Sequence, residues 1–153
     1  MRLIGREAYS YRGDATVPAF EDGGPVVFMD GGCALCTRGA RAVAKLDRAG
    51  EFRICPIQSP LGRAMLKHYG LDPDDPESWL YLCDGKAYNS IDAMIRAGAR
   101  LDGWGQALQP LAILPRRVQD WLYRRIARNR YRLFGRANMC EVADGDLKRR
   151  LLL

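Results

Sequence analysis

Four consecutive apolar residues, Val26-Val27-Phe28-Met29, run into Asp30-Gly31-Gly32 and then into a segment with apolar residues at helical spacing. A continuous apolar run bounded by turn residues suits a strand covered on both faces. Asp-Gly-Gly is a turn signal. Leu35, Ala42, Val43 and Leu46 then fit a helix over 34–49 that Gly50 stops. This strand–turn–helix sets the frame for the rest of the chain.

The alternation continues. Phe52-Arg53-Ile54-Cys55-Pro56-Ile57 reads as a second strand, and Leu61 to Tyr69 as a helix stopped by Gly70. After a polar turn at 72–76, Trp79 to Cys83 forms a third strand. Asp84-Gly85 is a strong hairpin signal, with Lys86-Ala87-Tyr88 returning. A helix over about 90–99 carries Ile91, Met94 and Ile95 on one face. Alternating elements favour an α/β sandwich. A parallel pair joined by a helix and closed by a hairpin is the thioredoxin-like arrangement, although element order alone does not choose among α/β folds.

The 153 residues, 48% of them hydrophobic, suffice for one compact domain with a core. Residues 1–25 carry four glycines and two prolines without a period, and read as an irregular N-terminal extension pinned by Tyr9, Tyr11 and Phe20. The core is expected over 26–101, with a C-terminal helical extension over 102–153 packed on it. In that extension, helices are expected over 106–113 and 116–128. Pro115 fits the start of the second, and Val118, Trp121, Leu122 and Ile126 form its apolar face. No apolar stretch reaches the ~20 residues of a membrane helix. Nor do residues 1–7 have the apolar centre of a secretory signal, so a soluble cytoplasmic protein is expected.

Five cysteines, an odd number with one close pair, do not resemble a secreted disulfide framework. Cys33-Ala34-Leu35-Cys36 is a C-x-x-C placed where a buried strand hands over to a helix. Unpaired N–H groups and the helix dipole favour an anion at such a terminus. A thiolate there is stabilised, and the thiolate is the nucleophile of disulfide exchange. Position makes Cys33 the outer, attacking thiol and Cys36 the buried thiol that resolves the mixed disulfide. A half zinc site is the competing reading. Structural zinc takes four Cys or His ligands, but no second close pair accompanies this one and His68 is the sole histidine. Two ordinary buried cysteines three apart are the other alternative. No cofactor or metal is expected beyond the two thiols.

Asp30-Gly31-Gly32-Cys33-Ala34-Leu35-Cys36 resembles the D-x-x-C-x-x-C signature of the DCC family of thiol–disulfide oxidoreductases. Asp84-Gly85-Lys86-Ala87-Tyr88 with Ser90, Ala93 and Met94 is similar to the same family. So is the stretch from Ala127 to Gly135, with Cys140 shortly after. The resemblance implies an α/β, thioredoxin-like three-layer sandwich with a mixed sheet and additional C-terminal helices. It also implies protein-disulfide reductase activity on protein or small-molecule thiols and disulfides. Asp30, Cys33 and Cys36 are the implied catalytic residues.

A carboxylate three residues before Cys33 would raise a thiolate's pKa if close and unpaired. Asp30 could instead relay a proton, or cap the helix or brace the turn, which is the favoured reading. Thioredoxin-like sites usually place a cis-proline just before the third strand. Here Glu77-Ser78 separate Pro76 from Trp79, and Ser78 takes that position.

Charge is unevenly spread. Residues 114–153 hold 11 Lys/Arg against 4 Asp/Glu, while residues 1–113 hold 13 against 14. The stretch Arg124 to Arg132 interleaves arginine with aromatic and apolar residues, a pattern that invites nucleic acid. The favoured reading is a solvated helix face whose arginine stems cover apolar surface. A nucleic-acid partner is not expected. The alternative function is a binding module whose Arg-rich helices recruit an acidic protein, nucleic acid or an anionic membrane. Cys55 and Cys83 read as packing residues. Cys140 is a candidate second redox partner, and His68 a surface residue.

Overall fold

The computed structural model describes residues 3–153. Strand β1 (Val26–Met29) is buried at all four positions, as its unbroken apolar run requires. It pairs in parallel with β2 (Arg53–Pro56) and antiparallel with β3 (Leu80–Cys83), and β3 pairs antiparallel with β4 (Lys86–Tyr88). The order is β2-β1-β3-β4, a mixed sheet with β1 inside.

Alternate β1 side chains enter different cores, because successive residues of a strand face opposite sides. Val27 and Met29 join Ala40 and Ala44 of α1 (Ala34–Leu46) and Ile91 and Ile95 of α3 (Ser90–Arg100). Val26 and Phe28 join Leu61, Met65 and Leu66 of α2 (Pro60–His68). These two cores make the expected three-layer α/β sandwich. The β3–β4 turn is tight because Asp84 and Gly85 both hold positive φ, 50° and 72°, the hallmark of a two-residue hairpin.

The N-terminal extension is tied down by its aromatic residues. Tyr9 N donates to Gly85 O (2.9 Å), the Tyr11 hydroxyl donates to Asp22 (2.8 Å), and Phe20 meets Phe28 edge-on. His68 departs from expectation. It is buried, with Nδ1 2.7 Å from Asp14 and Nε2 2.9 Å from Ser10. The irregular extension supplies both partners, which an isolated reading of α2 could not see.

Two corrections fall in the C-terminal extension. Residues Gly103–Ile113 form a 3-10 helix, not the expected α-helix over 106–113. Pro110 lacks the N–H that an α-helical turn would need there. The second helix, α4 (Arg116–Phe134), runs six residues past its expected end and stops at Gly135, φ 81°.

The larger correction is its rotation. Val118, Trp121 and Ile126 are exposed, Trp121 by 55%, and Leu122 is half-buried. Gln119, Tyr123, Ala127 and Arg130 face inward instead. The reason lies in the acceptors beneath the helix. Gln119 Nε2 donates to Leu111 O (3.2 Å) and Leu114 O (2.9 Å), and the Tyr123 hydroxyl donates to Glu77 O (2.7 Å). Arg130 reaches a buried carboxylate (2.6 Å). Leaving buried acceptors unpaired costs about 1–3 kcal/mol each, comparable to burying an aliphatic side chain. Several such acceptors together set the inward face. The chain closes with α5 (Met139–Val142) and α6 (Gly145–Arg150), the latter against α1.

Candidate active site

The site grows from the end of β1. After Met29 the chain turns at Asp30-Gly31-Gly32, and Cys33 is the N-cap of α1 with extended backbone, φ −104° and ψ 128°. Its side chain makes no capping bond. Its carbonyl instead accepts from Thr37 N and Thr37 Oγ1, both at 2.9 Å. Cys36 lies one turn in, so the two thiols sit together at the helix terminus and influence each other's ionisation. Both are free.

The exposure order is opposite to expectation. Cys33 is 0% exposed and Cys36 is half-buried. The chain beyond α4 covers the turn: Ala34 N donates to Gly135 O (3.3 Å), Ala137 N to Gly32 O (3.2 Å) and Met139 N to Gly31 O (2.8 Å). Cys33 itself forms an antiparallel bridge with Arg136. Residues 135–139 are therefore a strap over the cysteine turn, built from a segment with no periodic signal. Burial, first, pushes the Cys36 thiol up to about 12. The adjoining Cys33 adds to that rise through charge and a hydrogen bond, and Asp30 adds a smaller push. The Arg130 guanidinium opposes them.

Asp30 is 2% exposed and saturated with donors. Its Oδ1 accepts from Gly32 N (2.7 Å) and Gln58 Nε2 (2.6 Å). Its Oδ2 accepts from Arg130 Nη2 (2.6 Å) and the Tyr131 hydroxyl. A carboxylate offers about four lone-pair sites, and all are taken. The turn-bracing role expected of Asp30 is thus present in the bond to Gly32, while the helix-cap role is not. Gln58 also accepts from Gly31 N (3.0 Å), so one side chain clamps both the turn and the carboxylate.

Gln58, Arg130 and Tyr131 were not among the expected site residues. Arg130 and Tyr131 lay inside a stretch read as a solvated face, yet Arg130 is buried. The available signal was the resemblance spanning Ala127 to Gly135, not the helical period. Ser78 is buried ahead of β3, its hydroxyl donating to Asp72 O, and no cis peptide bond occurs among the described residues. Cys55 is buried, Cys83 half-buried and Cys140 exposed. Among the described residues, no three His, Cys, Asp or Glu side chains come together as a metal site.

The profile of the DCC1-like thiol-disulfide oxidoreductase family matches residues 27–136, from β1 to the start of the strap. The chain belongs to that family. It is 32% identical over 127 residues to the uncharacterized protein YuxK of Bacillus subtilis, covering 83% of this chain and 93% of YuxK. It is 31% identical over 142 residues to a chloroplastic DCC family protein of Arabidopsis thaliana, covering 92% of this chain and 83% of that protein. No solved structure gives a significant match. The DCC match takes in Asp30, Cys33, Cys36, Gln58, Arg130 and Tyr131 and stops before α5. No helix among the described residues is long and apolar enough to cross a membrane.

Proposed function

We propose that this DCC family chain is a thiol–disulfide oxidoreductase of the protein-disulfide reductase type, working through Cys33 and Cys36. The observation that carries the reading is the pair of adjoining thiols at the N-terminus of α1, directly after a central strand. In the exchange, the Cys33 thiolate attacks a substrate disulfide, forms a mixed disulfide and expels one substrate thiolate. The Cys36 thiolate then attacks Cys33 sulfur, closes the Cys33–Cys36 disulfide and releases the second substrate thiolate. The protein loses two electrons and two protons, and the substrate disulfide gains them.

The raised pKa of Cys36 suits the resolving role, since a thiol held near 12 is a poor first nucleophile at neutral pH. Cys33 lies under the strap, so its attack requires residues 135–139 to move aside. Asp30 acts here as a positioning residue, because its lone pairs are engaged and it braces the turn. A reducing compartment such as the cytoplasm fits the odd cysteine count.

A Cys36→Ser variant is expected to accumulate mixed disulfides with partner proteins, and a Cys33→Ser variant to trap few. Equal or reversed trapping, read on non-reducing gels, overturns the assignment of roles.

One observation favours a second reading, that of a binding module. Val118, Trp121 and Ile126 are exposed on α4 beside Arg125, whose guanidinium lies 5.4 Å from the Trp121 ring centroid. Such a face could recruit an acidic protein, nucleic acid or an anionic membrane surface. Turnover of a disulfide substrate by the isolated protein separates the two readings.

A further inference from the structure

Arg130 is tethered by two contacts and keeps one unpaired donor. It is buried, its Nη2 donates to Asp30 (2.6 Å), and its guanidinium lies 5.1 Å from the centroid of the Tyr131 ring. Its Nε–H is fully buried and meets no acceptor. Buried donors of a charged group are rarely left unmade. Cys36 packs against the core cluster that includes Tyr123 and Ala127, which share the inward face of α4 with Arg130. The titratable groups acting on it are Cys33 of the same helix end, Asp30 of the turn, and Arg130 and Tyr123 of α4. Arg130 is the sole cation among them.

The half-reaction that needs a cation is the second one. When Cys33 is tied up in a mixed disulfide, Cys36 must lose its proton to solvent, which its partial exposure permits. It then holds a negative charge beside the Asp30 carboxylate until it attacks.

We propose that Arg130 is a positioning residue for this resolving step: tethered by Asp30 and Tyr131, its guanidinium compensates the Cys36 thiolate, and its unpaired Nε–H is the donor kept for that sulfur. The inference rests on the exchange reading above. Cys36 loses a proton to water, its lone pair forms the S–S bond to Cys33, and the electron pair of the broken mixed disulfide leaves with the substrate thiolate. Asp30 sets where Arg130 sits and costs some of its effect, since its own charge opposes the thiolate.

The test uses the full chain in a Cys33→Ser background, where Cys36 is the remaining thiol of the motif. The rate of Cys36 alkylation by iodoacetamide, resolved by peptide mass mapping, is followed against pH. Asp30→Asn should lower the midpoint and speed alkylation at neutral pH about tenfold, since one pKa unit is tenfold in thiolate. Adding Arg130→Met to Asp30→Asn should reverse that gain, and Arg130→Lys in its place should keep part of it. A merely structural arginine would change stability and leave the midpoint alone. Equal midpoints with and without Arg130 overturn the inference. The Arg130→Lys variant keeps a buried cation and decides the matter if the double substitution fails to fold. A wild-type protein that forms no Cys33–Cys36 disulfide refutes the exchange reading instead, whatever the alkylation profile shows.

Discussion

Two buried carboxylate–arginine pairs bracket α1. Before it, Asp30 pairs with Arg130, and at its C-cap Asp47 pairs with Arg150, each pair joining residues about a hundred apart in sequence. Both carboxylates also accept a nearby backbone N–H, from Gly32 for Asp30 and from Phe52 for Asp47, and both arginines come from the C-terminal extension. Their surroundings differ. Arg150 also donates to Asp47 O and Phe52 O, while its Nε, like that of Arg130, meets no hydrogen-bond acceptor and lies 3.6 Å from Asp146. Arg130 instead acts on the Cys36 thiol. The same ion pair therefore serves as a tie at one end of the helix, and at the other as a tie next to reactive sulfur.

That contrast is broken most severely by removing one arginine. Arg150→Met strands a buried Asp47, and losing one partner of a buried pair costs about 3–5 kcal/mol. The urea midpoint of the variant should fall accordingly, while the pH profile of Cys36 alkylation in the folded fraction stays that of the parent. A shifted profile would show that the two pairs are not separable.

A smaller effect sharpens the same contrast with pH. Burial holds Cys36 up to about 12 and Cys55 up to about 11. A thiol in the unfolded chain titrates near ~8.5. A raised folded pKa means the fold favours the neutral thiol. Its contribution is therefore whole below ~8.5 and is lost as pH rises through 11–12. Denaturation of the reduced protein at pH 7.5 and pH 10.5 should show this loss. The oxidised protein, with Cys36 in a disulfide, should lose less over the same interval. Equal losses would show that burial does not hold the Cys36 thiol neutral.

The sheet and its three helical neighbours were legible because their signals are local. Val26–Met29 is an unbroken apolar run, and Asp84-Gly85 fixes its own turn. Asp30, Cys33 and Cys36 were legible as a spaced motif at a strand–helix junction. The facing of α4 was not. Counting apolar residues put Val118, Trp121 and Ile126 inside, whereas Gln119 turns inward to acceptors of the segment just before α4, and Tyr123 and Arg130 to acceptors contributed by distant segments. The exposure of the two cysteines was misjudged for a related reason. Their cover is the strap at 135–139, whose bonds run from backbone to backbone and leave no mark in side-chain pattern.

The central claim is that Cys33 and Cys36 are one redox couple. It is tested most directly by oxidising the purified protein mildly, blocking free thiols, and mapping disulfides by mass spectrometry before and after dithiothreitol. The account predicts a two-proton mass loss carried by a single Cys33–Cys36 bridge that reduction fully reverses, with Cys55, Cys83 and Cys140 alkylated throughout. A pair that stays reduced, or a bridge that forms instead between Cys140 and another cysteine, would contradict it.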